Sequence, residues 1–187
     1  SEEAARPEVS VVMSVRNGAP TLQSALESVL TQDGVNLELV VVNDGSTDAT
    51  ADILRDTARH DHRVRVLEQE AHGLTRGLIR GCSVARGRII ARQDADDVSL
   101  PGRLRKQRDR LESSDETVLV SCGSRFLGPQ GEILYELVPD SSRSPHEGGA
   151  PARHGTACFR QRDYEAVGGY RSAFYFAQDL DLWMRLS

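Results

Sequence analysis

The fold is decided by residues 37–48, which read LELVVVNDGSTD. The segment Leu37–Val42 is apolar except for Glu38 and ends in three β-branched valines, so it predicts a strand that is buried on both faces. Asp44 follows this strand, where its carboxylate could accept hydrogen bonds from a nucleobase or a ribose. Asp48 lies one helical turn further on, where an acidic residue complements a helix dipole. The segment therefore predicts an α/β domain with a ligand site at the carboxyl end of this strand.

Similar apolar segments lie on both sides of residues 37–48. Val9–Val15, Val64–Leu67 and Arg88–Gln93 are predicted strands, and predicted helices separate them. This alternation predicts βαβ units and a mostly parallel sheet with helices on both faces. After Asp97 the pattern changes. The elements predicted there are a helix that starts near Pro101, a strand at Val118–Cys122, a hairpin within Phe126–Val138 that turns at Pro129–Gly131, a mobile loop at Pro139–Pro151, a strand at Gly155–Phe159 and a helix at Gln178–Leu186.

Length and composition agree with one globular domain. The chain has 187 residues, and one domain takes about 150. We expect a flexible lead-in at residues 1–8 and a single domain at residues 9–187.

The net charge of −5 argues against a binder of duplex nucleic acid. No apolar run approaches the ~20 residues that span a bilayer. The three cysteines lack metal-ligand spacing and are typical of reduced core thiols in a cytoplasmic protein.

Three carboxylates follow the fourth predicted strand within four residues. Asp94, Asp96 and Asp97 belong to the sequence DADD, at the sheet edge where open α/β folds bind ligands. Clustered carboxylates repel one another, and a hard divalent cation such as Mg²⁺ or Mn²⁺ relieves that repulsion and completes its shell with substrate phosphates. The alternative is a solvated acidic turn that caps the following helix.

The segment 175–183 places two more carboxylates at the start of a predicted helix. Asp179 or Asp181 could act as a general base on a hydroxyl group. Alternatively, Asp181 complements the helix dipole and Trp183 belongs to the core. The sequence alone leaves both interpretations open.

These regions together resemble glycosyltransferase family 2, whose members have the GT-A nucleotide-sugar fold. The resemblance is carried by the opening strand with Asn17, by Val40–Asp48 (VVVNDGSTD), by Gly87–Arg103 (GRIIARQDADDVSLPGR) and by Gly168–Leu186 (GGYRSAFYFAQDLDLWMRL). Each motif is weak alone, but four in this order are specific. The resemblance implies a Rossmann-like α/β fold with a nucleotide-sugar-binding half at residues 9–97 and an acceptor-side half at residues 98–187.

The resemblance also implies a role for each matching residue near the nucleotide. Asp44 matches the aspartate that contacts the base. Val15, Asn17 and Ala95 lie where the family binds the nucleotide.

Metal and catalytic roles are implied in the same way. Asp94 and Asp96 match the DxD pair, with Asp96 as the main metal ligand and Asp94 nearer the ribose and the sugar. Asp179 matches the proposed catalytic base, and the stretch from His154 to Arg160 resembles the strand that lines the acceptor side.

The reaction implied by the family is a transfer with inversion at the anomeric carbon. The donor would be a nucleotide sugar, with a UDP-sugar favoured, and the cofactor would be Mn²⁺ or Mg²⁺. The acceptor would be a hydroxyl of a carbohydrate or a lipid-linked molecule, in the synthesis of cell-surface polysaccharide or glycoconjugate. We expect a cytoplasmic location, including peripheral association with the inner face of the membrane, and no nucleic-acid partner.

Several positions depart from the family pattern. Gln178 stands where the family usually has Glu, and Ile79 stands where an Asn is common. No Gln-x-x-Arg-Trp motif is present, so the sequence gives no support for a processive polysaccharide synthase. The chain ends at Ser187, shortly after the predicted catalytic helix begins, which is short for the family and predicts a trimmed chain.

Other functions fit parts of the sequence. A non-catalytic nucleotide-sugar-binding domain agrees with Gln178 and the early end of the chain. A sugar nucleotidyltransferase would have a glycine-rich phosphate loop where Val15–Pro20 stands, and a receiver-like phosphoacceptor domain would have a late lysine, whereas the single lysine is Lys106. Three arginines are either phosphate ligands or surface charges, namely Arg76, Arg80 and Arg92.

Overall fold

The computed structural model describes residues 6–138 and 152–186. The strands are β1 (Val9–Val15), β2 (Leu37–Asp44), β3 (Val64–Gln69), β4 (Ile89–Arg92), β5 (Leu119–Val120), β6 (Ser124–Leu127), β7 (Ile133–Leu137) and β8 (Cys158–Arg160). The helices are α1 (Ala19–Leu30), α2 (Thr50–His60), α3 (Leu74–Ser83), α4 (Arg103–Glu112), α5 (Gln161–Ala166) and α6 (Gln178–Leu186), and a 3₁₀ turn spans His154–Thr156.

Six strands form one mostly parallel sheet in the order β3-β2-β1-β4-β8-β5. Strands β1 to β4 are parallel, while β8 runs antiparallel to both β4 and β5. The predicted mostly parallel α/β sheet is therefore confirmed. The register places Val15 beside Asn43 and Val12 beside Arg92, so the loops after β1, β2 and β4 emerge at one edge.

Alternate side chains of the central strands point to opposite faces of the sheet, and each face has its own core. Val11 and Met13 pack with Leu22 and Leu26 of α1 on one face. Val12 belongs to the cluster on the other face, which also contains Leu182 and Trp183 of α6. This second cluster brings the late helix α6 against the sheet, although α6 is far from β1 in sequence.

The boundaries of several elements differ from the sequence prediction. The segment predicted as a strand from Gly155 begins instead as the 3₁₀ turn, and only β8 pairs in the sheet. Helix α5 was not predicted, because its six residues are too few to show helical periodicity. Helix α1 begins at Ala19 after Gly18, and the Thr21 hydroxyl donates to the carbonyl of Ala95 at 3.0 Å.

The predicted hairpin is confirmed as the two-stranded sheet of β6 and β7. Its turn closes through a hydrogen bond from the Gly128 N–H to the Glu132 carbonyl, and Gly131 adopts φ 82°. The loop predicted at Pro139–Pro151 lies outside the described residues.

The cysteines behave as core thiols rather than as ligands. Cys82 and Cys158 are buried, Cys122 is half-buried, and all three are free. Burial raises the pKa of the Cys82 thiol to about 12, and that of Cys158 to about 12 as well. In the described part of the chain, no helix has both the length and the apolar content needed to cross a bilayer.

Candidate active site

The candidate site lies at the edge of the sheet where β1, β2 and β4 end. Each of these parallel strands is followed by a loop that carries residues singled out from the sequence. The segment that leads into helix α6 reaches this edge from the other half of the chain, because the Thr75 hydroxyl at the start of α3 donates to the carbonyl of Phe174, at 2.7 Å. The sheet edge therefore gathers the nucleotide-side loops and the late acidic helix.

Asn17 joins the loops that follow β1 and β2. Its side-chain oxygen accepts the N–H of Thr47 at 2.8 Å, and its own N–H donates to the Ser46 hydroxyl at 2.9 Å. Asn17 has φ 53°, in the left-handed region that asparagine tolerates better than most residues. Val15 is buried in the core, and its side chain packs against Gly18 of this loop.

Asp48 has the structural role that the sequence favoured. Its carboxylate accepts the N–H of Thr50 at 3.0 Å and the N–H of Ala19 at 3.1 Å. The Thr50 hydroxyl, followed by these backbone donors, lowers the pKa of Asp48. Asp48 thus holds the first turns of α1 and α2 together.

Asp44 is buried, and protein donors already occupy most of its carboxylate. Oδ1 accepts the Gln69 side-chain amide at 2.6 Å and the His72 N–H at 2.8 Å, while Oδ2 accepts the Gly73 N–H at 2.9 Å. These bonds fix the loop before α3, so Asp44 shapes the wall of the site. Its direct contact with a nucleobase stays a prediction, for which Oδ2 retains one lone pair.

The buried side chain of Gln93 holds the acidic loop after β4 in place. The Gln93 amide donates to the carbonyls of Asp94 at 3.2 Å and Asp97 at 2.8 Å. Its oxygen accepts the hydroxyl of Ser99 and the guanidinium of Arg103, each at 2.6 Å. The loop is therefore built by the protein and is not a loose, solvated turn.

The three carboxylates of this loop have different surroundings. Asp94 is half-buried, and although burial acts to raise its pKa, the Arg92 guanidinium 2.5 Å away holds that pKa below its usual value. Asp97 has a raised pKa because of burial and, after that, because of Asp94 and Asp96. Asp96 and Asp97 are both exposed to solvent as whole residues, whereas Asp94 is half-buried.

Two of these carboxylates converge on Gly155. A Cβ on Gly155 would collide with Oδ2 of Asp94 and would lie 2.9 Å from Oδ2 of Asp97, so the two oxygens pack closely against the glycine backbone. Within residues 6–138 and 152–186, no three His, Cys, Asp or Glu side chains form a ready metal cage. Two convergent carboxylate oxygens fit Mg²⁺ or Mn²⁺, which binds one or two carboxylates and takes the rest of its shell from water and phosphate.

The predicted metal pair of Asp94 and Asp96 stays a prediction. In the structure, Oδ2 of Asp97 lies beside Oδ2 of Asp94 at Gly155, and Asp96 and Asp97 are both exposed. Gly155 was missed as a site residue. Its position one residue after His154 was the available signal, but its distance in sequence from the acidic loop hid the contact.

Arg92 is neither a phosphate ligand nor a surface charge, so that part of the sequence prediction is wrong. Its side chain is fully buried and donates to Asp94 and to main-chain carbonyls. Arg80 donates to the Glu68 carbonyl at 2.5 Å, and Arg76 is exposed on α3.

His154 lies behind the acidic loop, in contact with protein groups. Its Nε2 is 3.3 Å from Nε of Arg92 and 3.1 Å from the hydroxyl of Tyr170. Burial, followed by the charge of Arg92, lowers the pKa of His154 to about 3, against the opposing effect of Asp94. His154 is therefore neutral near pH 7.

Helix α6 presents Asp179 as the carboxylate without a protein partner. In the described parts of the chain, no side chain or N–H donates to the Asp179 carboxylate or forms an ion pair with it. Asp181, by contrast, accepts Arg185 at 2.6 Å and Arg171 at 3.4 Å. The residue before the helix, Ala177, has φ 55°. Asp179 is thus half-buried near the N-terminus of α6, and no protein group of the described residues competes for its carboxylate.

Sequence reasoning also missed an exposed aromatic pair beside α6. Tyr175 and Phe176 are 67% and 80% exposed, with ring centroids 4.9 Å apart. Tyr175 packs over Gly73, where a Cβ would approach its ring to 3.0 Å. The pair extends the apolar rim of the site toward solvent.

The sheet, the acidic loop and the placement of α6 define a glycosyltransferase of the GT-A class. The chain belongs to glycosyl transferase family 2, whose family model matches residues 10–170.

Comparisons with individual proteins agree with this assignment. EpsE of Bacillus subtilis, whose name places it among the glycosyltransferases, is 35% identical over 186 residues, which cover 96% of this chain and 66% of EpsE. The mannosyltransferase PcManGT of Pyrobaculum calidifontis, solved with GDP-Man and Mn²⁺, superposes with a TM-score of 0.77 at 23% identity, over 97% of this chain and 52% of that one. TarS of S. aureus with UDP-GlcNAc gives a TM-score of 0.74 at 19% identity, over 96% of this chain and 53% of TarS. The chain therefore spans between about half and two thirds of the length of these relatives.

Proposed function

We propose that this domain transfers a sugar from a nucleoside diphosphate donor to an acceptor hydroxyl, with inversion at the anomeric carbon. The observation that carries the proposal is the convergence of Asp94 and Asp97 at Gly155. It is supported by the contact of the segment before α6 with the start of α3, since α6 carries Asp179, which has no partner among the described residues. One end of this site suits a metal-bound diphosphate and the other suits an acceptor hydroxyl.

The donor half of the site would be formed by the loops after β1, β2 and β4. Asn17 and Asp44 fix these loops, and Val15 and Ala95 contribute backbone where the nucleotide would lie. We favour a UDP-sugar, which TarS binds, although PcManGT binds GDP-Man. The likeness of both structures supports a nucleotide-sugar donor, and the choice of base is a proposal.

The leaving diphosphate requires neutralisation of its charge. We propose that Asp94 and Asp96, with Asp97 beside Asp94, would hold Mn²⁺ or Mg²⁺. A cation bound there supplies Lewis-acid stabilisation of the departing diphosphate oxygens. Arg92 keeps Asp94 ionised for this purpose.

The acceptor hydroxyl requires a base. Asp179 would take its proton as the oxygen attacks the anomeric carbon from the face opposite the diphosphate. This assignment is supported by the absence of a competing partner for Asp179, in contrast with the ion-paired Asp181, among the residues that the structure describes.

The acceptor would be a carbohydrate or a lipid-linked molecule in the synthesis of cell-surface polysaccharide. Its hydroxyl would approach from the side of Tyr175 and Phe176, because these exposed rings precede Asp179 in the chain. A cytoplasmic location, with peripheral association at the inner face of a membrane, accompanies this proposal.

A second candidate is a domain that binds a nucleotide sugar without turning it over. Gln178 favours it, because this buried side chain carries no charge where the family usually has Glu. A sugar nucleotidyltransferase is not favoured by any contact in the site.

The two candidates are separated by binding and turnover of the same donors. Calorimetric titration of UDP, GDP and TDP, each with Mn²⁺ and with EDTA, identifies the base and the metal requirement. Donor hydrolysis is then measured with the matching nucleotide sugar. Hydrolysis that Asp179→Asn abolishes, with binding retained, supports the transferase. Binding without hydrolysis or transfer supports the non-catalytic domain, and absence of nucleotide binding overturns both.

A further inference from the structure

Arg92 is a buried cation that faces the back of the acidic loop. It is the last residue of β4, and its side chain has no exposed surface. Its Nη1 donates to the carbonyls of Val12 and Gln93, both at 2.9 Å. A buried charge is tolerated only when it is paired and hydrogen-bonded. These two carbonyls therefore fix the plane of the guanidinium against β1 and β4.

The fixed guanidinium divides the two oxygens of Asp94 between different tasks. Nη2 of Arg92 donates to Oδ1 at 2.5 Å, whereas Oδ2 packs against Gly155, where it converges with Oδ2 of Asp97. The terminal torsion of an aspartate is broad and roughly two-fold when nothing holds it. Arg92 thus selects which oxygen of Asp94 converges with Asp97.

Aromatic residues lie on the side of the Arg92 guanidinium that faces away from Asp94. The Arg92 Nε–H donates to Nε2 of His154 at 3.3 Å, so the His154 proton is assigned to Nδ1. The Tyr170 hydroxyl lies 3.1 Å from the same Nε2. Trp183 of α6 has its ring centroid 6.4 Å from that of His154. A continuous set of contacts therefore runs from Asp94 to the helix that carries Asp179.

We propose that Arg92 is a positioning residue that aims Oδ2 of Asp94 at the metal-bound diphosphate, and that His154 and Tyr170 hold Arg92 in place. Lysine cannot replace it, because an ammonium lacks the planar fork that reaches two carbonyls, a carboxylate and an imidazole at once. The identity of the ligand, a metal-bound diphosphate, rests on the proposed function, whereas the orientation of Asp94 by Arg92 does not.

The test compares Arg92→Lys, Asp94→Asn and the double variant in a double-mutant cycle. The readout is the dissociation constant of UDP, and of GDP, with Mn²⁺ and with EDTA. We expect Arg92→Lys to weaken binding with Mn²⁺ by about 10- to 100-fold, as for residues that orient metal ligands, and to change binding in EDTA far less. In the Asp94→Asn background the same substitution should have little further effect.

Arg160→Lys is the matched control. Arg160 is also a buried arginine, and it donates to the carbonyls of Leu111, Ser114 and Thr117. None of these groups belongs to the acidic loop. This variant should lose stability and keep the Mn²⁺-dependent affinity. Equal loss of affinity in Arg160→Lys, equal effects of Arg92→Lys in both backgrounds, or unchanged affinity in Arg92→Lys would each overturn the proposal.

Urea unfolding without ligand provides an independent measurement. It compares the unsubstituted protein, Arg92→Lys, Asp94→Asn and the double variant. The destabilisation by Arg92→Lys and by Asp94→Asn should be less than additive in the double variant, since both remove one interaction. Additive effects would overturn the orientation of Asp94 by Arg92. If the unsubstituted protein binds no nucleoside diphosphate, the proposed function fails, and this unfolding cycle still decides whether Arg92 positions Asp94.

Discussion

The Oδ2 atom of Asp44 accepts the N–H of Gly73 at 2.9 Å, which ties the end of β2 to the start of α3. Gly73 has φ 90°, a conformation that residues with a side chain rarely adopt. Asp44 also accepts the N–H of His72. One buried carboxylate thus organises a turn whose backbone would lose its hydrogen-bond acceptors if the charge were removed.

Asp44→Asn is therefore expected to destabilise the fold. Its amide group would face at least one of the donors now satisfied by the carboxylate, and an unsatisfied buried group costs about 1–3 kcal/mol. Urea unfolding at neutral pH measures this change. Asp52→Asn on α2 is a suitable control, because its carboxylate lies in a solvent-exposed pair with Arg55. Equal stability of the two variants would contradict the buried role of Asp44.

Gly155→Ala is expected to displace Asp94 and Asp97 from their convergent positions. The added methyl would collide with Oδ2 of Asp94 and approach Oδ2 of Asp97 to 2.9 Å, so Mn²⁺-dependent nucleotide affinity should fall by about tenfold or more. Calorimetry with Mn²⁺ and with EDTA measures the effect.

Gly168→Ala supplies the control for this substitution. Gly168 has φ 80°, and a Cβ there would meet nothing within 4 Å. That variant should lose stability through backbone strain and keep its affinity. If Gly155→Ala binds Mn²⁺ and nucleotide as well as the unsubstituted protein, the convergence of Asp94 and Asp97 at Gly155 is not the metal site.

Asp179→Asn is expected to keep its affinity for the nucleotide donor and to lose sugar transfer. Asparagine fills the same volume but cannot accept the proton of the attacking hydroxyl, and general-base catalysis contributes about 10²–10⁴-fold. The rate of sugar transfer and the affinity for the nucleotide are measured on the same preparation.

Asp181→Asn is the comparison for that experiment. Asp181 pairs with Arg185 and Arg171. Asp181→Asn should therefore lower the free energy of unfolding by more than Asp179→Asn does. Loss of nucleotide binding in Asp179→Asn would assign Asp179 to the donor site instead.

His154 predicts a pH dependence of stability. Its pKa in the folded protein is lowered from 6.5 to about 3, chiefly by burial. Between these two values the unfolded chain binds a proton at this residue and the folded chain does not, so stability falls as the pH is lowered below 6.5. The effect is complete once the pH passes below about 3.

His154→Gln should remove this contribution, since glutamine can still accept from Arg92 but does not titrate. The difference in unfolding free energy between the variant and the unsubstituted protein, followed from neutral to acidic pH, isolates His154 from the carboxylates. A difference that is constant with pH would contradict the prediction.

The parallel core of the fold could be predicted from short apolar segments. Val9–Val15 was predicted with the bounds that β1 has, and the segment from Leu37 was predicted as β2 with a shorter end. These strands are buried on both faces, so nearly every residue in them is apolar and local composition is sufficient. The short strands β5 and β8 were misjudged, because their pairing depends on partners far away in sequence.

The sequence by itself determined that acidic residues follow apolar strands and that they therefore gather at one edge of a parallel sheet. Only the tertiary structure decided which of them meet. It brought Gly155 against Asp94 and Asp97 and buried Arg92 behind Asp94. The physical reason is that strand periodicity is set by neighbouring residues, whereas the direction of a loop side chain is set by hydrogen bonds and packing from segments some 60 residues away, such as His154 against Arg92.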